Sequence, residues 1–151
     1  MSYRQAFRVI GEKWRNIFQW SAVLVPPLIA VNDNLVSLQM VAGRSMSPTF
    51  NPEDSHWLDV VLVSKVSDFQ AGDVVLLADP VREDRTRIVK RVAAISNDGS
   101  SVFVLGDNGP HSTDSRQFGA VPSVLVEGVV QAIVFPPWRF SSSLSRASLT
   151  A

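Results

Sequence analysis

The sequence contains no cysteine and only two histidines among its 151 residues. Without cysteine the chain can form no disulfide bond, no thiol nucleophile and no thiolate metal site. The two histidines, His56 and His111, are too few and too far apart in the sequence to indicate a metal cluster. We therefore predict that the protein uses no metal ion and no cofactor.

An excess of charge of one sign is also missing. The 14 Lys and Arg residues balance the 14 Asp and Glu residues, so the formal net charge is zero. A protein that binds DNA or RNA normally carries a basic patch that contacts phosphates. We therefore expect no nucleic-acid partner.

The length and the 46% apolar composition fit one globular domain of ordinary size.

The first 36 residues differ in composition from the rest of the chain. Residues 1–16 form a basic flank, with four Lys or Arg residues against one acid. Residues 17–31 are apolar, interrupted only by Gln19, Ser21 and the pair Pro26 and Pro27. A helix over residues 17–31 would extend roughly 22 Å, which is less than the ~30 Å of a bilayer core. Flanking residues or local thinning can supply the difference. We predict a membrane anchor over residues 17–36; the alternatives are a buried core helix broken at the prolines and a cleaved signal peptide.

The basic flank also predicts the orientation of a single-pass anchor. Positively charged flanks stay on the side of synthesis or matrix. Residues from 40 onward, and with them any catalytic domain, would then lie on the far side of the membrane.

Beyond residue 36 the sequence changes to short β-rich runs separated by turn formers. The predicted strands span residues 37–41, 58–63, 74–78, 87–95, 102–105 and 124–135. Turn signals stand at 72–73 and 97–99, and the charged stretch 82–87 predicts a solvated hairpin tip. This pattern indicates a mainly β fold, a barrel or folded sheet over residues 37–140, followed by a Ser-rich tail over residues 141–151.

A polar segment with the sequence GRSMSPT occupies residues 43–49, just after the first predicted strand. A glycine two positions before a serine, with a proline three positions after it, favours a loop that exposes a hydroxyl together with a backbone N–H. A nucleophile and its oxyanion hole both need this combination. Ser45 is therefore a candidate nucleophile, although an ordinary Ser-Pro turn would have the same composition.

A serine nucleophile needs a base, and neither histidine lies in a persuasive triad context. A lysine can take this role if burial removes its charge. Lys90 lies in the predicted strand 87–95, where alternation places it on the face opposite Val89 and Arg91. Its pKa would have to fall well below the usual value of about 10.4, which requires an apolar pocket. The alternative is an exposed lysine on a sheet edge.

The third segment, GDNGPHSTDSRQFG over residues 106–119, is dense in turn formers and predicts an ordered loop. Asp114 and Arg116 can form an ion pair that fixes this loop. The hydroxyl of Ser112 can hold a neutral lysine amine through a hydrogen bond. His111 is expected to be exposed rather than catalytic.

Together and in this order, the three segments resemble the type I signal peptidase family. Members of that family have a Ser-Met-x-Pro-Thr segment, a Lys-Arg-Val segment and a Gly-Asp-Asn loop ending in Ser-x-Asp-Ser-Arg, which match residues 45–49, 90–92 and 106–116. The resemblance extends over about residues 35–140. It implies a small distorted β-barrel of the signal peptidase type, tethered by one N-terminal transmembrane helix.

Position by position, the resemblance implies Ser45 as the nucleophile, Lys90 as the general base and Ser112 as the hydroxyl that orients the lysine. Asp114 and Arg116 would brace the site. The implied activity is that of a membrane-bound serine endopeptidase that removes sorting or signal peptides from precursor proteins.

Gly43 and Met46 would support the nucleophile segment. Gly43 occupies a position where many bacterial members have a hydroxyl, so the sequence is more similar to the mitochondrial branch of the family. The closing segment 135–140, FPPWRF, is also similar to that branch, whereas the Asp-Ser-Arg at 114–116 is closer to bacterial enzymes.

The mitochondrial branch implies a single-pass protein of the mitochondrial inner membrane whose catalytic domain faces the intermembrane space. Its implied partners are precursor proteins with cleavable sorting signals and a companion catalytic subunit. Two alternatives differ in class: a non-catalytic structural subunit that stabilises a partner peptidase, and a soluble self-cleaving regulator with a Ser-Lys dyad. The second would normally carry a DNA-binding helical segment, which the sequence lacks.

Overall fold

The computed structural model describes residues 35–53, 55–82, 84, 86–142 and 144. All the elements below lie in the unit Val36–Ala151. The predicted basic flank, and all but the last two residues of the predicted anchor, lie outside the described residues. Within those described ranges no helix is long and apolar enough to span a bilayer.

The described chain forms an antiparallel sheet of seven strands. In chain order the strands are β1 (Val36–Met40), β2 (Val60–Ser64), β3 (Val74–Ala78), β4 (Arg87–Ile95), β5 (Ser101–Leu105), β6 (Val121–Pro122) and β7 (Val126–Phe135). A short helix, α1 (Ser115–Phe118), lies between β5 and β6, and 3-10 turns span Gly109–His111, Ser123–Leu125 and Pro137–Arg139. The order across the sheet is β1-β2-β7-β3-β4-β5-β6.

The prediction of a mainly β fold is confirmed. β3 and β4 have the predicted bounds, and β1, β2 and β5 differ from prediction by one or two residues. β7 begins two residues later than predicted because Ser123–Leu125 forms a 3-10 turn. No sequence pattern predicts β6 or α1, since elements of two and four residues are too short to show a period.

Ordered structure continues past the predicted end of the domain at residue 140. Ser141, the first residue of the predicted tail, exchanges two backbone hydrogen bonds with Ile133 of β7. Leu144 packs against a hydrophobic core. At the other end, Val36, the last residue of the predicted anchor, is the first residue of β1.

The sheet curls into a half-barrel that brings distant strands together. β1 is first and β4 fifth in the sheet order, so a flat sheet would separate them by four strand spacings of about 4.8 Å each. Nevertheless, residues 39–42 and residues 87–89 line the same cavity. The segment that follows β1 therefore lies close to β4.

β3 is buried on both faces because the curled sheet has a core on each side. Val74 and Leu76 belong to one cluster, which also contains Phe50 from the loop after β1. Val75 and Leu77 belong to a second cluster on the opposite face. A continuous apolar run, rather than alternation, is typical of a strand covered on both sides.

Candidate active site

The nucleophile loop, residues 42–50, follows β1 and carries Ser45. Met46 and Phe50 are 2% and 0% exposed. They anchor the loop in the core that also contains Val74 and Leu76. The Phe50 N–H donates a 2.9 Å hydrogen bond to the Met46 carbonyl, which closes the turn between these two anchors. Ser45 is half-buried and lines a cavity of about 140 Å³. Met46 thus supports the loop as part of the core and also lines the same cavity.

Gly43 sets the direction in which the chain leaves β1. Its φ is +86°, a conformation that L side chains rarely adopt. A Cβ at this position would meet no described atom within 4 Å. Glycine is therefore required here by the backbone conformation and not by lack of space.

Lys90 lies near the middle of β4, opposite Val75 of β3, and is 3% exposed. Its Nζ donates a hydrogen bond of 2.9 Å to Ser112 Oγ. Burial lowers the pKa of Lys90 below 10.5, although the carboxylates of Asp114 and Asp79 act in the opposite direction. The burial excludes the alternative of an exposed edge lysine, and the pKa shifts in the direction that a general base needs.

Ser112 connects Lys90 to a buried carboxylate. Its hydroxyl donates to Asp114 Oδ2 at 2.8 Å, so the hydroxyl proton cannot also be donated to Lys90. The amine of Lys90 must therefore donate one of its N–H groups to the Ser112 oxygen. A neutral amine held in this way keeps its lone pair free to accept a proton from another group.

Asp114 is fully buried, and its charge is balanced by Arg116. Arg116 Nε lies 2.9 Å from Oδ1 and Nη2 lies 2.6 Å from Oδ2, so the predicted ion pair is present. Burial alone would raise the pKa of Asp114, but hydrogen bonds from Arg116, the Gly106 N–H and Ser112 hold it below its ordinary value. Asp114 is also the N-cap of α1. The Gln117 side chain accepts a hydrogen bond from the Asp114 N–H, which completes a capping box.

The segment 106–108 holds the nucleophile loop against Ser112. The Asn108 N–H donates a 3.0 Å hydrogen bond to the Ser45 carbonyl. A Cβ on Gly106 would lie 2.5 Å from this carbonyl oxygen and 2.5 Å from Ser112 Cβ, closer than real side chains pack. Only glycine fits between them. Among the described residues no hydrogen bond joins the Ser45 hydroxyl to Lys90 Nζ. Hydrogen bonds between a nucleophile and its base are often long until substrate binds.

Ser45 and Lys90 open onto neighbouring cavities. Ser45 lines the cavity of about 140 Å³, and Lys90 lines one of about 500 Å³. Ala42, Arg87 and Ile88 line both, so the two cavities form one cleft. The structure thus brings the candidate nucleophile and the candidate base to the same cleft.

Arg91 and Asp107 form a second ion pair, to which the sequence patterns assign no role. Arg91 is 1% exposed and contacts both oxygens of Asp107, at 2.8 and 2.7 Å. Asp107 also accepts a 2.5 Å hydrogen bond from Thr49 Oγ1 in the nucleophile loop. The available signal was an arginine between Lys90 and the apolar residues 92–95 of one strand, since a buried arginine needs a partner.

Comparison with known sequences assigns this site to a family. The sequence profile of the family described as signal peptidase, peptidase S26, matches residues 14–99 and 97–135. These ranges cover most of the chain and include every candidate site residue. The chain belongs to the signal peptidase family, peptidase S26. It is a signal-peptidase-type protease, and the resemblance drawn from the three segments is confirmed.

Relatives in this peptidase S26 family are similar over most of the chain. The mitochondrial inner membrane protease subunit 2 of Schizosaccharomyces pombe is 36% identical over 129 aligned positions, which cover 74% of this chain and 72% of that protein. The protein of the same name from Saccharomyces cerevisiae is 33% identical over 142 positions, covering 80% of each chain. The one from Homo sapiens is 33% identical over 137 positions, covering 78% of each.

Proposed function

We propose that the protein is a membrane-bound serine endopeptidase that removes sorting or signal peptides from precursor proteins, with Ser45 as nucleophile and Lys90 as general base. The observation that carries the proposal is the buried amine of Lys90, hydrogen-bonded to Ser112 on the cleft that the nucleophile loop also lines. A buried lysine destabilises a fold unless it becomes neutral. Acyl transfer by a Ser-Lys pair needs such a neutral amine beside the nucleophile, and a purely structural role does not.

The proposed reaction has two steps. The neutral amine of Lys90 takes the proton of the Ser45 hydroxyl while Oγ attacks the scissile carbonyl carbon, and the Ser45 backbone N–H stabilises the oxyanion. The C–N bond then breaks, and Lys90 returns the proton to the leaving amine. In the second step Lys90 takes a proton from water, whose oxygen attacks the acyl carbon. The bond from that carbon to Ser45 Oγ then breaks, and Lys90 returns the proton to Oγ.

Ser112, Asp114 and Arg116 would keep Lys90 oriented and neutral. Asp114 fixes the direction of the Ser112 hydroxyl, which in turn leaves only its oxygen for the amine. A bare carboxylate so close to Lys90 would favour the charged ammonium. The guanidinium of Arg116, bound to both carboxylate oxygens, opposes that effect.

Two strand edges beside the cleft support the binding of substrate as an added strand. Residues 87–90 of β4 pair with β3 on one side, whereas pairing with β5 begins only at Arg91. Among the described residues β1 pairs with β2 alone. An extended peptide between these edges would pass Ser45, and the cavity of about 140 Å³ beside it suits a small side chain before the cut.

We place the protein in the mitochondrial inner membrane, as a single-pass protein anchored through residues 17–36 with its peptidase domain in the intermembrane space. The names of the relatives, subunit 2 of a mitochondrial inner membrane protease, support this location and a companion catalytic subunit. Protease treatment of mitoplasts tests the orientation, because a domain in the intermembrane space is digested once the outer membrane is ruptured. Sodium carbonate extraction tests the anchor, because release into the soluble fraction would contradict it.

The catalytic assignment is tested by replacing the cellular copy with wild type, Ser45→Ala or Lys90→Met. Protein levels are measured by blot, and precursor processing is measured in the same cells. Both variants should accumulate normally and leave precursors uncut. Processing at the wild-type level in both would instead support a non-catalytic structural subunit.

A further inference from the structure

An ion pair outside the three motif segments, between a buried carboxylate and a half-buried arginine, contacts the nucleophile loop. Asp59 is completely buried, and Arg139, 80 residues later, donates from Nε to Asp59 Oδ1 at 3.0 Å. The same guanidinium donates from Nη2 to the Thr49 carbonyl at 3.0 Å. A buried carboxylate needs a partner, but this partner also binds the backbone of the loop that carries Ser45.

Asn51 ties the two ends of the nucleophile loop to the same carboxylate. Its N–H donates to Asp59 Oδ2 at 2.8 Å, and its side-chain oxygen accepts from the Asp59 N–H at 2.8 Å. Its Nδ2 donates to the carbonyls of Val41 and Gly43, at 2.7 and 3.3 Å. Asn51 has a φ of +47°, a conformation that asparagine tolerates better than most residues. Asp59 and Asn51 together close the base of the loop.

Thr49 is the point where two networks meet. Its carbonyl binds Arg139, and its hydroxyl binds Asp107, the partner of Arg91. Arg91 directly follows Lys90 in β4. The loop that carries Ser45 is therefore held on one side to the strand of the candidate base and on the other side to the turn that carries Arg139.

The turn that carries Arg139 is itself fixed to the sheet. Trp138 makes an edge contact with Trp57, with ring centroids 6.3 Å apart, and Trp57 in turn contacts Phe135 at the end of β7. After the turn, Ser141 and Ile133 of β7 exchange two backbone hydrogen bonds. The guanidinium of Arg139 thus extends from a turn that is fixed to β7. It can hold the nucleophile loop at a fixed distance from the sheet.

From these contacts we infer that Arg139 and Asp59 are positioning residues that set the distance between Ser45 and Lys90. The inference rests on the proposed role of Ser45 as nucleophile and assigns a function to two residues outside the segments 43–49, 90–92 and 106–119. Without the ion pair, the Thr49 carbonyl and the base of the loop each lose a hydrogen-bond partner. A displacement of the nucleophile by about 1 Å costs on the order of 100-fold in rate.

The test measures acylation separately from folding. Full-length wild type, Arg139→Gln and Asp59→Asn are purified in detergent as the native membrane complex and mixed with the p-nitrophenyl ester of an acyl peptide that ends in alanine. The burst that is lost in Ser45→Ala is taken as the Ser45-dependent burst; its amplitude counts competent sites, and its rate constant reports acylation. Val102→Ala serves as the control, because Val102 is buried in the second core, away from the nucleophile loop.

We expect the burst rate constant of Arg139→Gln and Asp59→Asn to fall about 10- to 100-fold, with kcat reduced and KM little changed. Arg139→Lys should be intermediate, because an ammonium lacks the fixed fork that reaches Asp59 and Thr49 together. Val102→Ala should lower the thermal midpoint but keep the wild-type rate constant. If Arg139→Gln does not accumulate, Arg139→Lys decides.

Two results would overturn the inference in different ways. If the ion-pair variants behave like Val102→Ala, with a lower amplitude or thermal midpoint and an unchanged burst rate constant, the pair is only structural while Ser45 keeps its role. If wild type shows neither a burst nor steady ester hydrolysis beyond that of Ser45→Ala, the proposed function itself fails, and the inference fails with it.

Discussion

Gly106→Ala should separate the candidate catalytic groups without removing any of them. The added Cβ would lie 2.5 Å from the Ser45 carbonyl oxygen and 2.5 Å from Ser112 Cβ, whereas ordinary contacts begin at 3.4 Å. One of these neighbours is backbone and cannot rotate away. The nucleophile loop and Ser112 must therefore move apart by roughly 0.9 Å, and we expect acylation to slow about 100-fold.

Gly128→Ala is the matched control for this prediction. A Cβ at Gly128 would lie 2.6 Å from the Ser64 carbonyl oxygen, between β7 and β2, so the steric conflict is similar but does not involve Ser45 or Ser112. Both variants should have lower thermal midpoints. Only Gly106→Ala should lower the Ser45-dependent burst rate constant, measured per competent site. A wild-type rate constant in Gly106→Ala would refute the proposed arrangement of Ser45 and Ser112.

Three further predictions concern Lys90 and the groups bound to it. The acid limb of kcat/KM should have its midpoint below 10.5, because burial lowers the pKa of Lys90 and only the neutral amine is active; a midpoint at or above 10.5 in a pH–rate profile would contradict this. Ser112→Ala should lower kcat about 10- to 100-fold, since the amine loses its hydrogen bond, whereas Ser112→Thr should retain more activity; equal kcat values for wild type and Ser112→Ala would exclude an orienting role. Asp114→Asn should lower the free energy of unfolding most above the ordinary carboxyl pKa of 3.8, and the difference from wild type should shrink as pH falls below it, because the folded-state pKa of Asp114 is lowered; urea denaturation at neutral and acidic pH measures the trend, and a constant difference would count against it.

Local patterns predict most of the strands, because apolar runs mark buried strands and turn formers mark their ends. The run 74–77 is apolar without interruption and is covered on both faces, while turn formers at 72–73 and 97–99 mark the ends of β3, β4 and β5. The link between Lys90 and Gly106 is short, and among its described elements the structure has there only the β4–β5 hairpin. β6 and α1 escape prediction because each is specified by tertiary pairing or by one capping residue.

The candidate site is predictable where chemistry is concentrated in short segments and not where it depends on distant partners. Ser112, Asp114 and Arg116 are near neighbours in the sequence, so their hydrogen bonds can be anticipated. Arg139 and Asp59 are 80 residues apart, and no local pattern indicates that they meet under the nucleophile loop. The burial of Lys90 likewise depends on tertiary contacts, among them the one with Ser112, which strand alternation does not specify.

The central claim is that Ser45 forms an acyl-enzyme with the help of Lys90. The most direct test is peptide mapping by mass spectrometry of the full-length complex, quenched within the burst after mixing with the alanine ester. The account predicts an acyl group on the peptide that contains Ser45, absent in Ser45→Ala and strongly delayed in Lys90→Met. An acyl group on another residue of this chain, or unchanged labelling in Lys90→Met, would contradict it.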